Sequence, residues 1–165
     1  MSFLYCSCRL AGAALVLSLS LPVIVEAASP EATLIKSRQD KLRDMGGALK
    51  AITDELKKPK VDWDNVIIPN TQTIKDRSGY LLNWFPKGSG PEAGVKTYAL
   101  PAIWQKQDDF TKIGKTMQAE AIKLDQVANS RNLDALKIEA VTMGKACKAC
   151  HDDYRSKDYE KENDE

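Results

Sequence analysis

Apolar residues recur along most of this chain at intervals of three, four and seven, the signature of helices that each bury one face. Between residues 30 and 58 the stripe runs through Ile35, Leu42, Met45, Leu49, Ile52 and Leu56, a seam suited to a helical bundle, and Pro59 closes it. Arg38 occupies the same stripe, where a cation is costly unless something pairs with it. A second segment is predicted from Asp62 or Asp64, either able to cap a helix, to Phe85, with Val66, Ile67, Ile74, Leu81 and Trp84 as its apolar side. Pro69 lies inside it and predicts a kink or a late start. A loop containing Gly88, Gly90, Pro91 and Gly94 follows and extends to about Tyr98. The third segment opens at Leu100-Pro101, with the proline suited to a first turn, and continues through Ile103, Phe110, Ile113, Met117, Ala121, Leu124 and Ala128. After a short turn over residues 129–132, the fourth runs from about Leu133 to Lys157 through Leu136, Ala140, Cys147, His151 and Tyr154. No segment alternates as a strand would. Four helices with mostly short connections predict an all-α protein, an antiparallel up-down-up-down four-helix bundle.

The first 28 residues break this pattern. Arg9 ends a short n-region, Leu10 to Val25 is apolar but for Gly12, Ser18, Ser20 and Pro22, and Glu26-Ala27-Ala28 offers small residues for cleavage. A short run with a proline and a cleavage pattern reads as a secretory signal peptide, with a retained membrane anchor as the alternative. One domain then spans residues 29–158, and residues 159–165 form a charged tail expected to fray. Cys6 and Cys8 leave with the signal, so the mature chain keeps only Cys147 and Cys150 and has no disulfide framework. The 24 Lys and Arg residues balance 23 Asp and Glu, which gives no basic footprint for nucleic acid. His151 is the single histidine, which excludes chemistry that needs two imidazoles.

Residues 147–151 read C-K-A-C-H. Two thiols three apart on a helix face one side and can add across the two vinyl groups of a haem. The histidine lies about 40° beyond Cys147 in helical projection, at about 100° per residue, so its imidazole can reach the iron. Other readings fit less well. A zinc site would want four ligands, and the mature chain offers two cysteines and one histidine plus carboxylates. A thioredoxin-like pair would want a strand before the motif and a βαβ setting, which the pattern lacks. The motif therefore predicts one covalently attached haem c with His151 on the metal, held near the C-terminal helix.

A haem motif on the last of four helices resembles the cytochrome c′ family. The likeness covers nearly the whole mature chain and is most specific in G-K-A-C-K-A-C-H-D-D-Y-R-S-K, residues 144–157. A-L-P-A-I-W at 99–104 looks like the family's opening of the third helix, and Arg38-Gln39 with Leu42 and Met45 is similar to its distal-face segment. The resemblance implies that Cys147 and Cys150 are thioether anchors and His151 the proximal ligand. It also implies that Arg155 flanks the proximal face, Leu42 sits over the distal face, and Arg38 meets a propionate at the haem edge. Alternatives remain for the two arginines: Arg38 can snorkel to water from near a helix end, and Arg155 can be an exposed charge paired with Asp152 or another acid.

The sixth iron position separates two functions. Met143 shares the helix of His151 and cannot easily cross the ring, and Met117 reads as core filler, which leaves Met45 as the candidate ligand. Low-spin relatives of the cytochrome c-556 type place methionine where this chain has Leu42. The favoured expectation is a five-coordinate, high-spin iron under an apolar lid of Leu42 with Phe85 and Met45. The alternative is a low-spin electron-transfer cytochrome ligated by Met45. The resemblance implies NO and CO binding, periplasmic redox partners, a periplasmic location and a homodimer through the first two helices. No enzyme is expected, because a peroxidase would want a distal histidine, and no nucleophile, carboxylate dyad or phosphate loop is evident.

Overall fold

The computed structural model describes residues 29–163; the expected signal peptide lies outside them. Helix α1 spans Pro30–Glu55. Ser29 caps it by accepting a hydrogen bond from the Ala32 N–H at 3.1 Å, and Pro30 stands in the first turn, where its missing N–H costs nothing. Glu55 closes the helix by accepting from the Asp62 N–H at 2.9 Å, which stitches its end to the start of the next element.

That next element answers the question posed by Pro69. A π-helical turn over Trp63–Ile67, capped by Asp62 rather than Asp64, precedes helix α2 at Ile68–Ser78. The wide turn bonds Ile67 N–H to Asp62 C=O and Ile68 N–H to Trp63 C=O. Pro69, which cannot donate, follows at the point where the ladder resets to the α pattern. The segment also ends earlier than expected. It stops at Ser78, and a separate 3-10 turn at Leu81–Trp84 carries the chain into the loop.

The third segment is likewise divided. Helix α3, Ala102–Gln105, is separated from α4, Gln107–Asn129, by Lys106 at φ −120° and ψ 51°. The Trp104 indole N–H donates to the carbonyls of Phe85 and Pro86 at 3.1 and 3.0 Å, so the loop holds this short helix in addition to its own few backbone bonds. Gly90 packs under the same ring: a β-carbon there would lie 2.8 Å from Trp104. Arg131 turns the chain at φ 54°, and Asn132 caps α5, Leu133–Tyr154.

Helix α5 does not reach Lys157. Arg155 is extended and forms an antiparallel bridge with Ala99, through Leu100 N–H to Tyr154 C=O and Ser156 N–H to Tyr98 C=O at 2.9 and 2.7 Å. The tail expected to fray is instead helical over Asp158–Asn163, α6. Among the described residues there is no strand beyond this one bridge. Helices α1, α2, α4 and α5 form the four-helix bundle, with α2 packed on α1 and α4, and α4 on α5. Antiparallel order brings Ile52, Ile67, Leu124, Ala128 and Leu136 together at one end, all at 0% exposure.

Candidate functional site

At the opposite end the helices part around a cavity of about 430 Å³. Cys147, Cys150 and His151 line it from α5, so the three motif residues share one wall as their helical spacing requires. Burial raises the pKa of both thiols, Cys150 to about 11, so both are protonated at neutral pH. Burial, aided by the neighbouring Arg155 charge, lowers His151 to about 4. Its imidazole is therefore neutral near pH 7, with a lone pair available to a metal. Among the described residues, no group of three or more His, Cys, Asp or Glu side chains gathers as a zinc site would need.

The facing wall belongs to α1 and the loop. Leu42 and Met45 line it from α1, and Phe85 lines it from the end of the 3-10 turn, edge-on to Phe110 with ring centroids 5.0 Å apart. Met117 belongs to the buried core, as its reading as core filler expects, and also lines the cavity, whereas Met143 is fully buried in the core. Phe110 and Tyr154 extend the aromatic floor, with ring centroids 5.1 Å apart.

Arg38 does not snorkel. It is 2% exposed, and its guanidinium lies 4.5 Å over the Phe85 ring. It donates to Trp84 C=O, to the Ser89 hydroxyl and carbonyl and to the Thr97 hydroxyl, at 3.0 to 3.3 Å. Every one of these acceptors is neutral, and burial pulls its pKa down to about 10. Arg38 thus pins the loop from Trp84 to Thr97 and also leaves a buried positive charge at the cavity edge, with no carboxylate in ion-pair range among the described residues. Such a charge favours an anionic group on whatever fills the cavity.

Arg155 lines the cavity too. Its guanidinium pairs with Glu160 at 3.0 Å and stacks 4.4 Å over the Tyr159 ring, while Asp152 pairs with Lys148. The acid is therefore Glu160, and Arg155 lines the cavity while paired to it. Tyr98 and Tyr159 also line the cavity. Sequence periodicity gave no sign of either, because one lies in the loop and the other beyond the last predicted helix. A compartment with apolar walls, two thiols, one neutral imidazole and cations at its edges suits a flat, largely apolar, metal-bearing ring with acidic substituents. The residues fit a haem.

Comparison with known proteins agrees. Residues 33–155 match the family model described as Cytochrome C'. Cytochrome c' of Alcaligenes xylosoxydans xylosoxydans is 33% identical over 131 residues, 79% of this chain and 98% of that protein. Cytochrome c-554 of Cereibacter sphaeroides is 42% identical over 74 residues, and there the chain spans only about half of its relative, 48%. A ferrous variant of cytochrome c prime from Alcaligenes xylosoxidans, solved with bound NO, superposes with a TM-score of 0.69 at 28% identity, covering 80% of this chain and 99% of that one.

Proposed function

Because this chain belongs to the cytochrome c′ family, and is thus a mono-haem c-type cytochrome with one covalently attached haem c, we propose that Cys147 and Cys150 form the thioether links and His151 is the iron's protein ligand. The observation that carries this reading is the placement of those three side chains on one wall of a cavity whose facing wall is Leu42, Met45 and Phe85. When bound, haem supplies an iron that exchanges one electron and takes diatomic ligands.

The chain's own residues set what that iron meets. Leu42 and Phe85 exclude water and offer no hydrogen-bond donor. A ligand that depends on such a donor, O2 above all, is disfavoured relative to NO and CO. Leucine cannot coordinate, so with Leu42 facing the iron the sixth position would carry no protein ligand and the iron would be five-coordinate and high-spin. Arg38, from its buried post, would meet an acidic substituent of the haem, and Arg155 would stand beside His151. The protein binds NO or CO, or passes electrons to redox partners, and does no catalysis of its own. The NO-bound relative supports the first role. Residues 1–28 support export to the periplasm, and among the described residues no helix is long and apolar enough to cross a membrane. Pairing of two copies through α1 and α2 belongs to the same reading.

Met45 keeps a second reading alive, since it is 6% exposed and lines the same cavity, one turn from Leu42. In that case the protein is a low-spin electron carrier. Visible spectra of both oxidation states, with and without CO, decide between them. The expected result is a high-spin spectrum that responds to CO, and Leu42→Met moving it toward low spin at a stability cost under about 1.5 kcal/mol. A methionine-to-iron charge-transfer band in the unaltered protein would replace the first reading with the second.

A further inference from the structure

The family match ends at Arg155, yet the chain beyond it returns to the same cavity. Resting on the haem reading above, we propose that α6 is a strap over the His151 side of the cavity that shields the His151 ring from solvent. Tyr159 of α6 supplies part of the cavity wall beside His151 and Arg155. Its ring is clasped between the Arg155 guanidinium at 4.4 Å and the Tyr98 ring, edge-on at 5.2 Å. Glu160 pairs with Arg155 at 3.0 Å. Glu162 accepts from the Tyr98 hydroxyl at 2.6 Å and pairs with Lys96.

The chain entering α6 is fastened as well, by the bridge between Ala99 and Arg155 and its two backbone hydrogen bonds. One turn or so of helix is not stable alone in water, because nucleation costs more than so few bonds return. The helicity of residues 158–163 is therefore maintained by docking. Each exposed ion pair contributes little, about 0–1 kcal/mol. Two pairs, two ring contacts and a bridge act together on one short segment, and they carry Tyr159 to the cavity that His151 lines. Tyr159 docks through its ring, against Arg155 and Tyr98.

The test uses the mature holoprotein with Tyr159→Ala, Tyr159→Phe, Glu160→Gln and a stop codon in place of Lys157. In the oxidised, paramagnetic protein the ring N–H of His151 that faces away from iron is shifted clear of other resonances, and its exchange with solvent can be read by NMR. The strap predicts exchange faster by about tenfold or more in the truncated and Tyr159→Ala proteins, a smaller increase in Glu160→Gln, and unaltered exchange in Tyr159→Phe. A coloured protein whose His151 N–H exchanges at the same rate after truncation or Tyr159→Ala overturns the strap alone. An unaltered protein that is colourless and of unmodified mass overturns the haem reading, and the strap with it. If truncation prevents folding, the two point variants at Tyr159 still decide.

Discussion

The two ends of the bundle are built from the same helices and solve different problems. At the end where α1 stops and α5 begins, Ile52, Ile67, Leu124, Ala128 and Leu136 meet at 0% exposure and fill their own space. At the end where α1 begins and α5 stops, the side chains stand back from one another around about 430 Å³. The closed end is complete as polypeptide. The cavity end is complete only with its haem, and two cations, Arg38 and Arg155, are among the residues that line it. A bundle can therefore carry a large prosthetic group without weakening throughout, because packing that fixes the helices is kept away from the space they enclose.

The largest test of this contrast removes what holds the haem. Without its group, a compartment of this size leaves the apolar side chains that line it without packing partners, while the closed end keeps its own. Replacing Cys147 and Cys150 together by alanine should yield a protein that gives up its colour to acid-organic extraction and shows the greatest fall in thermal midpoint. Haem that still resists extraction would remove these cysteines from their assigned role.

At the closed end, Leu124→Ala should cost about 2–5 kcal/mol in a denaturant titration and leave the visible spectrum unaltered. A changed spectrum would mean that the ends are not independent. Between these in kind, though smaller in size, is Arg38→Met. It strips donors from four buried or half-buried acceptors in the loop, with a cost of about 2–3 kcal/mol, and should speed amide exchange across residues 84–97. Unchanged loop protection would show that Trp104 and Gly90 hold the loop without it.

The smallest effect lies along the seam between α4 and α5. Glu120 is raised above its ordinary carboxyl value chiefly by the neighbouring Glu139 carboxyl, which is itself buried and paired with Lys123 at 2.7 Å. The folded protein holds the Glu120 proton more tightly than the unfolded chain does. Stability from this group is thus fully present below pH 4.5 and declines as pH rises through the raised value. Glu120→Gln cannot titrate and should be stabilised by about 0.5 kcal/mol at neutral pH, after solvent screening. Stability curves against pH for the two proteins should differ in that window and converge below it; parallel curves would separate Glu120 from Glu139.

Much of this was legible in one dimension. Apolar spacing predicted four helices and their order, because each helix must bury a stripe whatever its neighbours are. The C-K-A-C-H spacing predicted that Cys147, Cys150 and His151 share one side, since helical geometry alone puts them there. Charge balance and the single histidine narrowed the chemistry before any fold was known. What periodicity could not supply were the places where the chain leaves the ideal helix. The π-helical turn before Pro69, the break at Lys106 and the extended Arg155 depend on partners distant in sequence, such as the carbonyls that receive Trp104 and the bridge to Ala99. The same holds for side chains with several possible partners. Arg38 could have reached water, and only the folded loop offered it the neutral acceptors that bury it. Tyr159 lies past the last predicted helix, and only the tertiary fold carries it back to the cavity wall. Local spacing sets which residues share a helix face; which of those faces encloses a cavity is a property of all the helices together, and of the loops that hold them apart.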